Sequence, residues 1–244
     1  MEEAVMKVKK KEKAEVLSSP STTIFCVTGA TGYIGSWLVA ALLQRGYTVH
    51  ATVRDPGDRL RIFKADLNEE GSFDEAVRGC DGVFHVAASM VFNVDKKENI
   101  EAYVQANIVD PSIKGTLNLL KSCMNSNSVK RVILTSSIST ITAKDNNGKW
   151  KSVVDESCQM QSEHVLKTQA SGWVYALSKL LTEEAAFKFA KENGIDLVSV
   201  ITTTVAGPFF TATTPTKPSC ILSPQLLAHN LWQEESGLYP VEDG

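Results

Sequence analysis

The chain has no apolar run approaching the roughly 20 residues that a membrane-crossing helix needs, so no membrane-spanning segment is expected. It also lacks a dominant charge. The net charge of −3 over 244 residues offers no surface suited to nucleic acid or to an anionic membrane. Cysteine is scarce: Cys26, Cys80, Cys123, Cys158 and Cys220 lie far apart, form no CxxC pair and have no secretory signal ahead of them. Reduced thiols in a cytoplasmic protein are the expectation. Histidine is equally sparse, and His50, His85, His164 and His229 show no metal-ligand spacing, so no metal is expected. No internal repeat is visible. What remains, 43% hydrophobic and 22% charged, suffices to bury one globular core.

Between Thr22 and Leu38 the chain reads TTIFCVTGATGYIGSWL, an apolar strand that breaks at Gly29, Gly32 and Gly35 and then begins an amphipathic helix. This is the arrangement that seats a dinucleotide. Gly29 permits the tight turn, Gly32 lets the backbone approach a pyrophosphate, and Gly35 lets the helix pack closely on the strand with its N-terminus toward the phosphates. A glycine triplet alone also serves ordinary turns. Here the strand before it and the helix after it favour cofactor binding.

Beyond this turn, short apolar segments alternate with helical ones. The strands are read as 47–53, 60–65, 82–87, 131–136 and 196–202, and helical patterns follow Gly32, Gly71, Asn99 and Ser171. The fold class is therefore α/β, a doubly wound Rossmann-type, mostly parallel sheet. Pro111 is expected to bend or restart the helix between residues 98 and 125. Three segments are expected: a disordered lysine-rich tail (1–21), the dinucleotide-binding domain (22–224) and a divergent tail (225–244). The basic tail leaves open a nuclear address or an anionic docking patch.

The link after Val53 is short. Val53-Arg54-Asp55 is followed by only Pro56, Gly57, Asp58 and Arg59 before a strand beginning at Leu60, and these four linker residues reach at most about 14 Å. Running back along a five-residue strand takes roughly 17 Å. The helix usual at this place is therefore missing, and the third strand is not expected to pair parallel to the second in the usual register. It should turn back as a hairpin through Pro56-Gly57-Asp58, or else shift and shorten the second strand.

Arg54, closing the second strand, stands where NAD-preferring folds carry an acid for the ribose 2′-hydroxyl. A cation there suits a 2′-phosphate and favours NADPH. The plainer reading pairs Arg54 with Asp55 or Asp58 on the surface. Asp66 and Leu67 close the third strand, where an adenine would lie. A hairpin would carry them to the wrong end of the sheet and weaken NADPH binding.

Tyr175 and Lys179 are four apart on one helix face, so the ammonium can acidify a phenol that otherwise titrates near pH 10 and is a poor proton donor at neutrality. Any helix can carry such a pair by chance. Its place after the fifth strand, which ends Thr135-Ser136-Ser137, gives it weight. A serine hydroxyl there can bond the same carbonyl oxygen that Tyr175 protonates. Ser136 reads more readily than Ser137 as an ordinary loop serine.

TGATGYIG, VRDP after the second strand, GVFHVAA, the two serines and YALSK together resemble the extended short-chain dehydrogenase/reductases. ADLNEEGSFDEAVRGCDGVFHVAA, VDESC and AGPF resemble, more narrowly, the plant dihydroflavonol 4-reductase group, which includes anthocyanidin and vestitone reductases. The likeness runs from about Thr23 to about Pro224. It implies a catalytic trio of Ser137, Tyr175 and Lys179, with Tyr175 as proton donor, Ser137 polarising the carbonyl and Lys179 also holding the nicotinamide ribose. It assigns Gly29, Gly32, Gly35, Arg54, Asp66 and Leu67 to the cofactor.

Three departures stand out. SGWVYALSK replaces the NWYCYGK of cinnamoyl-CoA reductases and points away from a CoA thioester. Thr142 stands near the place where dihydroflavonol reductases set an asparagine against the flavonoid B-ring, which leaves room for other ketones. Thr202 replaces a proline beside the nicotinamide. The resemblance fades after Leu222-Ser223-Pro224, so a truncated substrate-covering lobe is expected. The leading expectation is an NADPH-dependent reductase of a carbonyl on a flavonoid-like, small-molecule phenolic substrate. The alternatives are a truncated nucleotide-binding protein with feeble turnover and, less in keeping with Arg54, a nucleotide-sugar epimerase or dehydratase.

Overall fold

The structure is a computed structural model that describes residues 23–53, 62–95, 98–141, 149, 151–205 and 207. β1 (Ile24–Thr28) is the apolar run before the glycine turn. Its successive side chains Cys26 and Val27 point to opposite faces and both are fully buried, so the sheet is covered on both sides. α1 (Tyr33–Gln44) follows the turn and packs on β1 and β2 (Thr48–Val53). Next come β3 (Phe63–Lys64), the short α2 (Asp74–Val77) and β4 (Gly82–His85).

The expected long helix has two parts. α3 (Ile100–Val104) opens into a wide π-type turn at Gln105–Val109 and continues as α4 (Asp110–Ser126). Pro111 accounts for the break: it has no N–H to give the carbonyl four residues back, and its ring crowds that carbonyl, so the helix widens and restarts with proline in its first turn. β5 (Arg131–Thr135), α5 (Ser162–Thr168), α6 (Trp173–Asn193) and β6 (Leu197–Val200) complete the series.

The six strands lie in the order β3-β2-β1-β4-β5-β6, and every pairing is parallel. The expected hairpin is not formed. Phe63 pairs with Thr52 and Lys64 with Val53, parallel, while β2 keeps its length to Val53. Among the described residues strand three is shorter than expected: it is Phe63–Lys64, and only the last two residues of β2 are matched, while Leu60 and Arg61 lie outside the described residues. Residues 54–62 reach about 30 Å when extended, far more than a return past two residues requires. The expectation started the strand too early, since Ile62 precedes β3.

One core cluster joins Cys26, Val83, Val132 and Leu134 of the sheet to Phe73 and Val77 around α2 and to Leu119 of α4. A second lies among the helices, with Val104 and Val109 against Val174, Leu177 and Leu180 of α6. Cys26, Cys80, Cys123 and Cys158 are free thiols, and burial pushes Cys80 and Cys123 up to about 12, which keeps them protonated. The chain divides into two units, Met1–Thr203 and Thr204–Gly244. The first holds every named element, and the second contributes Thr204, Val205 and Gly207 to the described residues. No helix among the described residues is long and apolar enough to cross a membrane.

Candidate active site

The strand order reverses direction between β1 and β4, and the crevice at the carboxyl ends of such strands is where open parallel sheets take ligands. The glycine turn stands at that point. Gly29 has φ 68°, and a Cβ there would lie 2.9 Å from the backbone of Ala87. A Cβ on Gly35 would lie 2.2 Å from the Gly29 carbonyl oxygen, so the first turn of α1 touches the loop backbone. Gly32 is the N-cap of α1, donates to the Gly29 carbonyl at 2.9 Å, and no side chain caps the helix. A narrow turn feeding an uncapped helix N-terminus is a cradle that fits a diphosphate.

Thr28 and His85 hold this turn in place. The Thr28 hydroxyl accepts the N–H groups of Val86 and Ala87, both at 3.1 Å, and so gives its own proton to His85 Nδ1 at 2.9 Å. His85 Nε2–H then donates to the Thr116 hydroxyl of α4 at 3.1 Å. Burial, aided by the Lys179 charge, pushes the imidazole down to about 3, so the ring is neutral and its tautomer is set by these partners. The polar strut that His85 forms was not legible in the sequence, because it needs β1, β4 and α4 side by side.

The second half of the site gathers at the end of β5. Ser137 is buried, and its hydroxyl accepts from the backbone N–H of Ser139 at 3.2 Å and from the Ser139 hydroxyl at 3.0 Å. Tyr175, in the first turn of α6, hydrogen-bonds Ser137 and stacks on Phe92 at 4.7 Å between ring centres, with 29° between the planes. The Lys179 ammonium lies 5.9 Å from the Tyr175 ring centre and donates to the Thr135 carbonyl at 3.0 Å. Two hydroxyls in contact with a cation one turn away can bind and protonate an oxyanion.

The titration differs from the expectation. Burial pushes the Tyr175 phenol above its usual value, and the Ser137 hydrogen bond only partly opposes this. The lysine does not acidify it because the ammonium turns to the Thr135 carbonyl and stays near the edge of cation–π range. Lys179 itself is pushed down to about 8 by burial, against the charge of Glu183.

Asp66 and Leu67 follow the carboxyl end of β3, at the same end of the sheet as Gly29 and Ser137, so the geometric reason for weak cofactor binding falls away. The Asp66 carboxylate accepts both the backbone and side-chain N–H of Asn68, and the Leu67 carbonyl accepts from Asn118 at 2.9 Å. Arg54 and Thr142 lie outside the described residues. Thr202 is tied to the β5 end: its hydroxyl donates to the Ser136 carbonyl at 3.3 Å and its carbonyl accepts from Ile138 N–H at 2.8 Å. Phe92 and Glu183 were missed by the sequence reading. Glu183 had a signal in its spacing of four from Lys179, whereas Phe92, in the loop after β4, had none.

The comparisons agree with this architecture. Residues 25–238 match the NAD dependent epimerase/dehydratase family. The chain is 42% identical over 214 residues to a dihydroflavonol 4-reductase of Arabidopsis thaliana, covering 82% of this chain and 53% of that protein. It is 45% identical over 224 residues to a cinnamoyl-CoA reductase of Medicago truncatula, covering 84% and 65%. Among solved structures, vestitone reductase from alfalfa superposes with a TM-score of 0.64 at 36% identity, over 79% of this chain and 60% of that one. The chain thus spans little more than half the length of such relatives. Sheet order, glycine turn and sequence likeness together place the chain in the NAD dependent epimerase/dehydratase family, among the extended short-chain dehydrogenase/reductases.

Proposed function

We propose that the chain is an NADPH-dependent reductase of a carbonyl on a flavonoid-like phenolic substrate. The observation that carries this reading is the contact between the Tyr175 and Ser137 hydroxyls, with Lys179 one helical turn away, at the same end of the sheet as the glycine turn. In this reading Gly29, Gly32 and Gly35 receive the diphosphate on backbone N–H groups, Asp66 and Leu67 border the adenine, and Arg54 meets the 2′-phosphate. Bound NADPH would supply the hydride. Ser137 and Tyr175 hold the substrate oxygen between them, and Tyr175 gives up its proton as negative charge develops there. Lys179 stabilises the phenolate that results and holds a ribose hydroxyl. Phe92 covers one face of the phenol, keeps water from it and presents an aromatic wall to a planar substrate.

The substrate class rests on similarity alone, and two relatives of nearly equal identity carry the names of a ketone reductase and a CoA-thioester reductase. The decisive assay follows NADPH absorbance with purified protein and a panel of dihydroflavonols, anthocyanidins and a hydroxycinnamoyl-CoA ester, with Tyr175→Phe as control. Oxidation with a flavonoid that falls by about 10²- to 10⁴-fold in the variant supports the proposal. Turnover of the thioester alone would overturn the substrate class. A second reading, nucleotide binding with feeble turnover, draws on the raised Tyr175 phenol and on the lysine hydrogen bond to Thr135. NADPH binding without oxidation of any panel member would favour it.

A further inference from the structure

We propose that Glu183 is the positioning residue for Lys179, a buried carboxylate clamped between β5 and β6 that fixes the ammonium above the sheet. This rests on the reading that Lys179 is the cation of the site. Tyr175, Lys179 and Glu183 recur every four residues along α6 and so lie on one stripe of the helix. Glu183 is only 5% exposed, and a carboxylate so placed needs partners. It has them on both oxygens: the Ser136 hydroxyl, just past the end of β5, donates to Oε2 at 2.7 Å, and the Ser199 hydroxyl of β6 donates to Oε1. Ser136, set aside from the sequence as a plain loop serine, thus belongs to the support of the site.

The clamp and the site share their backbone. Lys179 donates to the carbonyl of Thr135, whose neighbours are Ser136 on the clamp and Ser137 on Tyr175. Three consecutive residues at one strand end therefore meet the three charged or phenolic groups of the helix stripe, one each. A second buried charge would otherwise destabilise a buried ammonium; here the signs are opposite and each charge also has a hydrogen-bond partner. The charge of Glu183 favours the protonated amine against the burial that pushes Lys179 down to about 8. The other groups facing Lys179 are neutral: Tyr175 on its own helix and His85 on β4. Glu184 also lies on α6, with Glu163 of α5 near it.

The test reads the amine itself. Trace acetylation of Lys179 with acetic anhydride across pH, quantified by peptide mass spectrometry and scaled to the high-pH plateau, gives the titration midpoint independently of access. The wild type is expected to titrate near 8. In Glu183→Gln, which keeps the shape and loses the charge, the reactive fraction at pH 7 should rise about threefold, and Glu183→Asp should reverse most of that rise. An unmoved midpoint in folded Glu183→Gln overturns the proposal, because a purely structural anchor would leave the midpoint where it was. Should Glu183→Gln fail to melt cooperatively, Ser136→Ala with Ser199→Ala frees the carboxylate while keeping its charge. The midpoint is then expected to move, and an unmoved one again overturns the proposal. NADPH binding by wild-type protein, measured by calorimetry, separates the two readings: a shifted midpoint without NADPH binding sinks the reductase assignment and leaves the clamp standing.

Discussion

The glycine turn after β1 and the helix stripe on α6 build the two halves of one crevice from opposite materials. The turn is made of backbone, and its demand is the absence of side chains: one Cβ at Gly35 meets a carbonyl oxygen at 2.2 Å. The stripe is made of side chains, with a buried Glu183 and a partly buried Lys179 carrying charge, and its demand is that each be partnered. The first half is steric and indifferent to pH. The second is electrostatic and responds to it.

Gly35→Ala tests the steric half most severely. Neither the Gly29 carbonyl nor the α1 backbone can give way cheaply, so a loss of about 3 kcal/mol in denaturant unfolding is expected, with NADPH affinity lost alongside. A variant of wild-type stability would show that the turn is looser than the contact distance implies. Thr28→Val comes next. It keeps the shape but strips the Val86 and Ala87 N–H groups and His85 Nδ1 of their partner, costing about 2 to 4 kcal/mol in the same measurement.

Titration sharpens the contrast. His85 drops from its usual value near 6.5 to about 3 on folding, so between those limits the unfolded chain binds a proton that the folded chain refuses. Stability therefore falls as pH drops through 6.5, by on the order of 1 kcal/mol per pH unit, and His85→Gln should flatten that limb of the urea-midpoint profile. Lys179 acts in the alkaline range by the same logic. Its ammonium is lost near 8 in the folded chain but near 10.5 in the unfolded one, so stability rises across that window, and Lys179→Met should abolish the rise. The smallest effect is expected at Thr202→Ala, which removes a 3.3 Å hydrogen bond to the Ser136 carbonyl and should cost under about 1 kcal/mol.

The same contrast governs what could be read in advance. The glycine turn was legible because its requirement sits on single residues in one short segment. The Tyr175 and Lys179 pair was legible because helical spacing places both on one face. The β3 pairing was misjudged because an apolar pattern from Leu60 read as strand in the sequence, whereas the described strand begins only at Phe63, which allows the parallel register. The phenol was expected to be acidified, but the lysine hydrogen bond to Thr135 joins residues 44 apart in sequence and leaves burial as the stronger influence on Tyr175. Ser136 looked ordinary for a related reason: its partner, Glu183, is 47 residues away.

The Thr28 hydroxyl has a kinetic consequence for the loop that begins at Val86. Both of its donor amides lie beyond the last residue of β4, where a strand boundary alone would predict rapid exchange with deuterium. A side chain fully shielded from solvent protects them instead, so the loop that leads to Phe92 has a rigid root. Any motion that opens or closes that aromatic wall must therefore pivot after Ala87.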